Sequence, residues 1–275
     1  MIRSSKSLLG LSLIACIAAS QANACSISAW DAVGAQGSVG VVAADAVSVQ
    51  TGNSRYSGSC SLRLTGPSKY VQNTIATPRA TYRTRMYVRK EGAASDSKVF
   101  SATNAAGTTE VIGVTFSGST FTFNLAGAAV QPVAVTVPSP TAWYAVELDW
   151  TNAGAFTARV TGAGGQASTP ATSTATVATA ETIGRARLGN TNAGAVGTYF
   201  FEEFDSRTTQ APGRLCRGDS NGNGLIQGND RVAVTNEINL TYSVGQPDCN
   251  ENGLVQGNDR VCVSNLILSA ATCTP

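Results

Sequence analysis

The chain has 275 residues, of which 13% are charged and 43% hydrophobic, and it contains no histidine. The charged share is about half the usual one, but the hydrophobic share is ordinary, so a sizeable core is expected and global disorder is excluded. The missing histidine removes Ser-His-Asp and Cys-His catalysis, His-ligated zinc or iron, and an imidazole pH switch. What remains is chemistry by carboxylates, amides, Lys, Tyr or an oxygen-bound metal.

Residues 1–24 read as a secretory signal. Arg3 and Lys6 form the charged start, residues 8–19 the apolar stretch, and Ala22-Asn23-Ala24 the small-residue cleavage site. The apolar stretch is too short for a membrane span, and no other segment is apolar enough to be one. Cleavage takes the formal charge from +2 to zero, leaving 17 residues of each sign. A neutral mature chain argues against nucleic acid as a partner. Leu13-Ile14-Ala15-Cys16 resembles a bacterial lipobox, so a lipoprotein anchored at Cys16 is the alternative to plain secretion. Seven cysteines become six once Cys16 is removed: Cys25, Cys60, Cys216, Cys249, Cys262 and Cys273. An even set in an exported chain predicts disulfides. Cys25–Cys60 is the natural pair in the first region. The last four allow three connectivities, of which Cys216–Cys273, clasping the ends of the second region, with Cys249–Cys262 is preferred.

Residues 25–210 read as all-β. Apolar residues alternate over 61–64, 81–90, 120–125, 143–150, 156–160 and 198–205, with turn residues between them. In the fourth run Tyr144, Val146, Leu148 and Trp150 share one face. Residues 162–182 are mostly Gly, Ala, Ser and Thr, and fit either a long loop or weak edge strands. Many short strands predict a two-sheet antiparallel sandwich of jelly-roll type. The stretches Tyr56-Ser57-Gly58-Ser59-Cys60-Ser61-Leu62-Arg63-Leu64, Trp143-Tyr144-Ala145-Val146-Glu147-Leu148-Asp149-Trp150, Leu188-Gly189-Asn190 and Tyr199-Phe200-Phe201-Glu202-Glu203-Phe204-Asp205 resemble the concanavalin A-like (laminin G-like) sandwich superfamily.

After a short polar connection ending at residues 211–215, the chain repeats itself. Residues 219–238 match 248–267 at 14 of 20 positions, at an offset of 29. Each copy opens with a calcium-loop pattern. Calcium takes six to eight oxygens, supplied from loop positions 1, 3, 5, 7, 9 and 12. In the first copy these are Asp219, Asn221, Asn223, the carbonyl of Leu225, Gln227 and Asp230. In the second they are Asp248, Asn250, Asn252, the carbonyl of Leu254, Gln256 and Asp259. Gly224 and Gly253 stand at position 6, where the chain turns sharply. Position 8 carries Ile226 and Val255, suited to pairing the loops back to back. Two ions are therefore expected, with micromolar to millimolar dissociation constants, because each loop brings only two carboxylates. Folding of so small a region should depend on the metal.

With no helix ahead of either loop and Asp rather than Glu at position 12, residues 216–275 resemble a dockerin, a calcium-folded pair of loop–helix repeats that plugs into a cohesin. The resemblance implies an all-α module and a cohesin-like or other surface protein as partner. It assigns partner recognition to Gly228, Asn229, Thr235 and Asn236, and to Gly257, Asn258, Ser264 and Asn265. These depart from the Ser-Thr and Lys-Arg pairs of cellulosomal dockerins, which argues against a standard cellulosomal partner.

The sandwich superfamily includes glucanases with a Glu-x-Asp-x-Glu strand. Here Glu147, Asp149 and Thr151 stand on one face of such a strand, and Thr151 cannot supply the acid that retaining hydrolysis needs. Glu202, Glu203 and Asp205 read as strand-edge solvation rather than a substitute. Arg83, Arg85, Tyr87 and Arg89 share a face and read as a solvated outer sheet face, with a basic stripe for an acidic glycan as the alternative. Trp30, Trp143 and Trp150 are candidate sugar platforms, though core is the usual place for such residues, above all for Trp150. The expected protein is thus secreted and non-catalytic, with a carbohydrate- or surface-binding sandwich tethered through a calcium module. A polysaccharide hydrolase and a structural or adhesion spacer are the rivals.

Overall fold

The computed structural model describes residues 32–33, 39–43, 56–57, 60–91, 96–126, 133–136, 142–163, 170–191, 197–239, 241, 245–251 and 254–273. The signal segment, Cys16, Cys25, Trp30, Asn252 and Gly253 lie outside them, and so does one partner of the expected Cys25–Cys60 pair.

The first part is a sandwich of two antiparallel sheets, as the alternating runs predict. The strands are β1 (Ala32–Val33), β2 (Val39–Ala43), β3 (Cys60–Thr65), β4 (Tyr70–Arg79), β5 (Thr81–Glu91), β6 (Ser97–Thr103) and β7 (Glu110–Ser117). They continue with β8 (Thr120–Leu125), β9 (Val133–Thr136), β10 (Trp143–Thr151), β11 (Ala155–Ala163), β12 (Ala171–Thr176), β13 (Ile183–Gly189) and β14 (Thr198–Arg207). Sheet A runs β1-β4-β13-β6-β7-β8-β9, and sheet B runs β12-β11-β10-β5-β14-β3-β2. The Gly/Ala/Ser/Thr-rich stretch thus contains an edge strand, β12, which among the described residues pairs with β11.

The core between the sheets follows from the period of two. From β10 it takes Tyr144, Val146, Leu148 and Trp150, and from β5 it takes Tyr82, Met86 and Val88. Sheet A contributes Phe100, Ile112, Val114, Phe116, Phe121 and Phe123. Phe116 and Phe121 stack across β7 and β8 at 4.2 Å between ring centroids, and Tyr144 meets both edge-on. Each such buried side chain contributes about 1.5–3 kcal/mol.

Among the described residues two helices follow: α1 (Gly228–Ile238) and α2 (Gly257–Leu268). Each begins where a loop ends, and each is started by the same reciprocal cap. Gln227 and Asp230 bridge backbone and side chain at α1, as Gln256 and Asp259 do at α2. The small core between the helices is Val234, Cys249, Val255 and Val263, with Ile238, Cys262, Leu266 and Ile267 packed against it. That core is too small to hold the region alone. Two disulfides supplement it, Cys216–Cys273 and Cys249–Cys262, the preferred pairing of the three. Disulfides persist in oxidising surroundings and so fit an exported, extracellular protein. Among the described residues, no helix is long and apolar enough to cross a membrane.

Candidate functional site

The two repeats close on the same pair of hydrogen bonds, made by the Asp at loop position 12. In the first loop the Asp219 carboxylate accepts from the N–H groups of Asn223 (3.0 Å) and Gly224 (2.7 Å). The Asn221 side-chain oxygen accepts from Asn223 N–H at 3.0 Å, and the Asn223 oxygen accepts from Leu225 N–H at 2.9 Å. Asp230 closes the loop by accepting from the N–H groups of Asn221 (3.1 Å) and Gln227 (2.7 Å). Asp259 closes the second loop on the matching donors, Asn250 (3.0 Å) and Gln256 (2.8 Å). One residue therefore does two jobs: the last oxygen ligand of the pattern is also the helix cap. Asp serves both because its short side chain keeps the carboxylate over the first helical turn, where the dipole favours a negative charge.

The oxygens gathered here suit a hard divalent cation. Asp230 and Asp259 are fully buried and Asp219 is 7% exposed. Burial raises the pKa of both Asp230 and Asp259; the charge of Asp219 raises Asp230 further, and Asp248 hydrogen-bonds Asp259. Buried carboxylates that face another carboxylate are costly without a cation between them. Among the described residues, no three His, Cys, Asp or Glu side chains form a metal-binding group. Each loop brings two carboxylates, and amide and carbonyl oxygens are left to complete the set. Position 8 differs between the copies: Val255 is in the module core, whereas Ile226 is half-buried.

The residues that the dockerin resemblance assigns to partner recognition separate into two kinds. Gly228, Asn229, Asn236, Gly257, Asn258 and Asn265 are exposed. Thr235 and Ser264 are half-buried, and their hydroxyls donate to the carbonyls of Arg231 (2.8 Å) and Arg260 (2.7 Å) in the preceding turn. Sequence reasoning missed Val232 and Val261, which are 57% and 59% exposed. They are identical across the 29-residue offset, and identity at a position outside the apolar core was the available signal. Asn229, Val232 and Asn236 lie three and four residues apart, so they share one helix face, and Asn258, Val261 and Asn265 repeat it.

Around Arg85, Tyr87 and Arg89 sheet B does not turn a solvated face outward, and this corrects the reading of the arginine strand, of which Arg83 alone stays half-buried. Tyr87 is fully buried, and Arg85 and Arg89 are 7% and 9% exposed. A second apolar cluster, Tyr56, Tyr87, Trp143, Ala145 and Phe200 with Leu215 against it, occupies the outer side of the sheet. Tyr56 stacks on Tyr87 at 4.1 Å. The connection 211–215 lies against this cluster: Arg85 donates to the Gly213 carbonyl (2.9 Å), and the N–H of Leu215 donates to the Tyr87 hydroxyl (3.0 Å). The second calcium-type loop is tied to the same place. Glu251, 3% exposed, sits in the left-handed region (φ 56°) and pairs with Arg214 at 2.5 Å. The Tyr56 hydroxyl donates to Glu251 at 3.4 Å. Burial pushes the Glu251 carboxyl upward, opposed by Arg214 and Arg217, and burial also raises the Tyr56 and Tyr87 hydroxyls. Trp143 is therefore buried in this second cluster, while Trp150 is in the intersheet core.

The carboxylates of the glucanase-like strand are engaged differently. Asp149 accepts from Arg83 at 3.0 Å, and Thr151 accepts from the Ala155 N–H at 3.3 Å. Of the three proposed edge carboxylates, Glu202 is buried and accepts from Ser57 N–H (2.6 Å). Glu203 pairs with Arg85 at 3.5 Å, and Asp205 with Arg207 at 2.7 Å. A cleft of about 360 Å³ lies between Glu203, Arg214 and Leu215 on one side and Asp219, Gly222 and Gly224 of the first loop on the other.

No family model matches the chain, and no curated protein matches it. Solved structures similar in fold include the cellulose-induced protein Cip1, at 15% identity over 68% of this chain and 92% of that one, with a TM-score of 0.45. A botulinum neurotoxin type C chain, whose cell entry depends on two ganglioside molecules, aligns at 10% identity over 55% of this chain and 39% of its own, with a TM-score of 0.42. Trypanosoma rangeli sialidase aligns at 12% identity over 58% of this chain and 30% of its own, with a TM-score of 0.41.

Proposed function

We propose that this is an exported, non-catalytic tethering protein. Its sandwich binds carbohydrate or a surface, and its C-terminal dockerin-like module folds around two calcium ions and docks onto a cohesin-like or other surface protein. The observation that carries the metal reading is the duplicated loop: the same carboxylate at position 12 is buried, facing the carboxylate of position 1, in both copies. Asp219, Asn221, Asn223, the Leu225 carbonyl, Gln227 and Asp230 would hold one ion, and Asp248, Asn250, Asn252, the Leu254 carbonyl, Gln256 and Asp259 the other. The repeated helix face of Asn229, Val232 and Asn236 with Asn258, Val261 and Asn265 supplies a docking surface. Tethering raises the local concentration of a weak binding domain at its target without new contacts.

Calorimetric titration of the chelator-stripped full chain with calcium tests this reading. Two sites with micromolar to millimolar dissociation constants are expected. Heat-free titration, together with a melting curve that chelator leaves unchanged, would sink it. A glycan array on the folded, calcium-loaded chain tests the sandwich: binding supports the lectin reading, and none favours a spacer.

A further inference from the structure

The outer face of sheet A carries an arrangement that the tethering reading has not used. Arg185 and Arg187 stand two residues apart on β13, an inner strand of the sheet, and so project from the same face. Both guanidinium groups reach the same point above the β6–β7 turn. A Cβ built on Gly107 would lie 2.5 Å from one Arg185 terminal nitrogen and 3.5 Å from one of Arg187. Two cations thus converge, and among the described residues neither forms an ion pair. The nearby Glu110 carboxylate does not neutralise them, because Lys98 (2.7 and 2.9 Å) and Ser101 (2.8 Å) take its oxygens. Arg187 is held by the Gln72 side-chain oxygen at 2.7 Å and lies over the Tyr70 ring at 5.0 Å. The Nε of Arg185 is buried without a hydrogen-bond partner.

The surroundings are those of a ligand site rather than a repulsive accident. Arg185 stands opposite Thr74 and Thr103 on the neighbouring strands, and Arg187 opposite Gln72 and Ser101. Of these, Thr74 is exposed beside the two forked donors, whereas Ser101, Thr103 and Gln72 are buried and brace the strand from within the sheet. Guanidinium matches a carboxylate two bonds at a time, a planar fork that a point charge such as an ammonium lacks. From this we infer that the outer face of sheet A is a binding site for an acidic glycan, with Arg185 and Arg187 sharing the carboxylate of a uronic acid residue. The inference rests on the carbohydrate reading above and names its substrate class and face.

The test is affinity measurement with a short oligogalacturonate, and with a neutral cello-oligosaccharide of the same length, on the calcium-loaded full chain. Binding of the acidic oligomer is expected to weaken about tenfold in Arg187→Gln and about a hundredfold in the double variant Arg185→Gln/Arg187→Gln. Arg159→Gln, which removes the same charge from sheet B, should leave it unchanged. Arg185→Lys/Arg187→Lys keeps the charge and guards against misfolding; it should fall between the wild type and the double Gln variant, since it loses the bidentate geometry. Equal weakening in Arg159→Gln would overturn the site in favour of diffuse charge. Binding of the neutral oligomer alone would overturn the acidic-glycan inference while leaving the carbohydrate reading standing. A folded chain that binds neither would overturn the acidic-glycan inference, and the glycan array then decides the carbohydrate reading.

Discussion

The two outer faces of the sandwich carry similar residues and meet different fates. Sheet B turns outward Arg83, Arg85, Tyr87, Arg89 and Trp143; sheet A turns outward Tyr70, Gln72, Arg185 and Arg187. On sheet B the residues are spent inside the molecule. Arg85 holds the Gly213 carbonyl, Tyr87 receives the Leu215 N–H, and Tyr56 with Trp143 covers the rest. On sheet A both arginines are half-exposed. The difference teaches that a row of arginines and aromatics on a strand does not announce a ligand. Whether another part of the same chain already occupies it decides the matter.

The largest effect should come from emptying the covered face. Tyr87→Ala removes a fully buried ring that stacks on Tyr56, and should cost about 4 kcal/mol in urea unfolding. A loss below about 1 kcal/mol would show that the C-terminal region does not rest on sheet B. Arg214→Met comes next. It strands the buried Glu251 carboxylate and should cost about 3 kcal/mol, whereas Arg214→Met/Glu251→Met should recover part of that loss. A double variant as unstable as the sum of the two singles would deny that the pair is coupled.

Which parts of this were legible in the sequence follows from how far each signal reaches. β5, β10 and β14 were readable because their core-facing side chains alternate locally. β4 was not: beyond Val71 and Gln72 it is largely exposed and polar, so no apolar period marks it. The two loops that open the helices were readable as repeats because each lies in one continuous twelve-residue stretch, and the duplication doubled the signal. The covered face of sheet B was not, because its partners are remote in the chain. Leu215 is 128 residues from Tyr87, and Glu251 is 195 from Tyr56. Periodicity correctly separated the inner from the outer face of β5, but only the fold reveals that the outer face is also an interior.

The two loops can be compared in the same way. Glu251 belongs to the second loop and ties it to Tyr56 and Arg214, so metal bound there should stabilise the sandwich as well as the module. A site loaded at a hundred times its dissociation constant adds about 2.7 kcal/mol. Asp248→Ala should therefore lower the melting of the sandwich in saturating calcium, followed by near-UV dichroism of the buried Trp143 and Trp150. Asp219→Ala should lower it less. Equal effects from both variants would place the coupling elsewhere than Glu251.

The smallest expected effect is the most discriminating for the open face. Arg185→Gln/Arg187→Gln removes two converging like charges that have no acidic partner among the described residues, together with one hydrogen bond, from Arg187 to Gln72. The lost bond costs about 1 kcal/mol, and the relieved repulsion returns a similar amount. The urea midpoint should therefore stay within the equivalent of about 0.5 kcal/mol of wild type, rising slightly at low salt, where repulsion between exposed charges is strongest. A ligand site can bear such a stress in its empty state because the anion relieves it on binding. A structural pair cannot, and a loss of about 2 kcal/mol or more in the double variant would mark these arginines as part of the framework of sheet A.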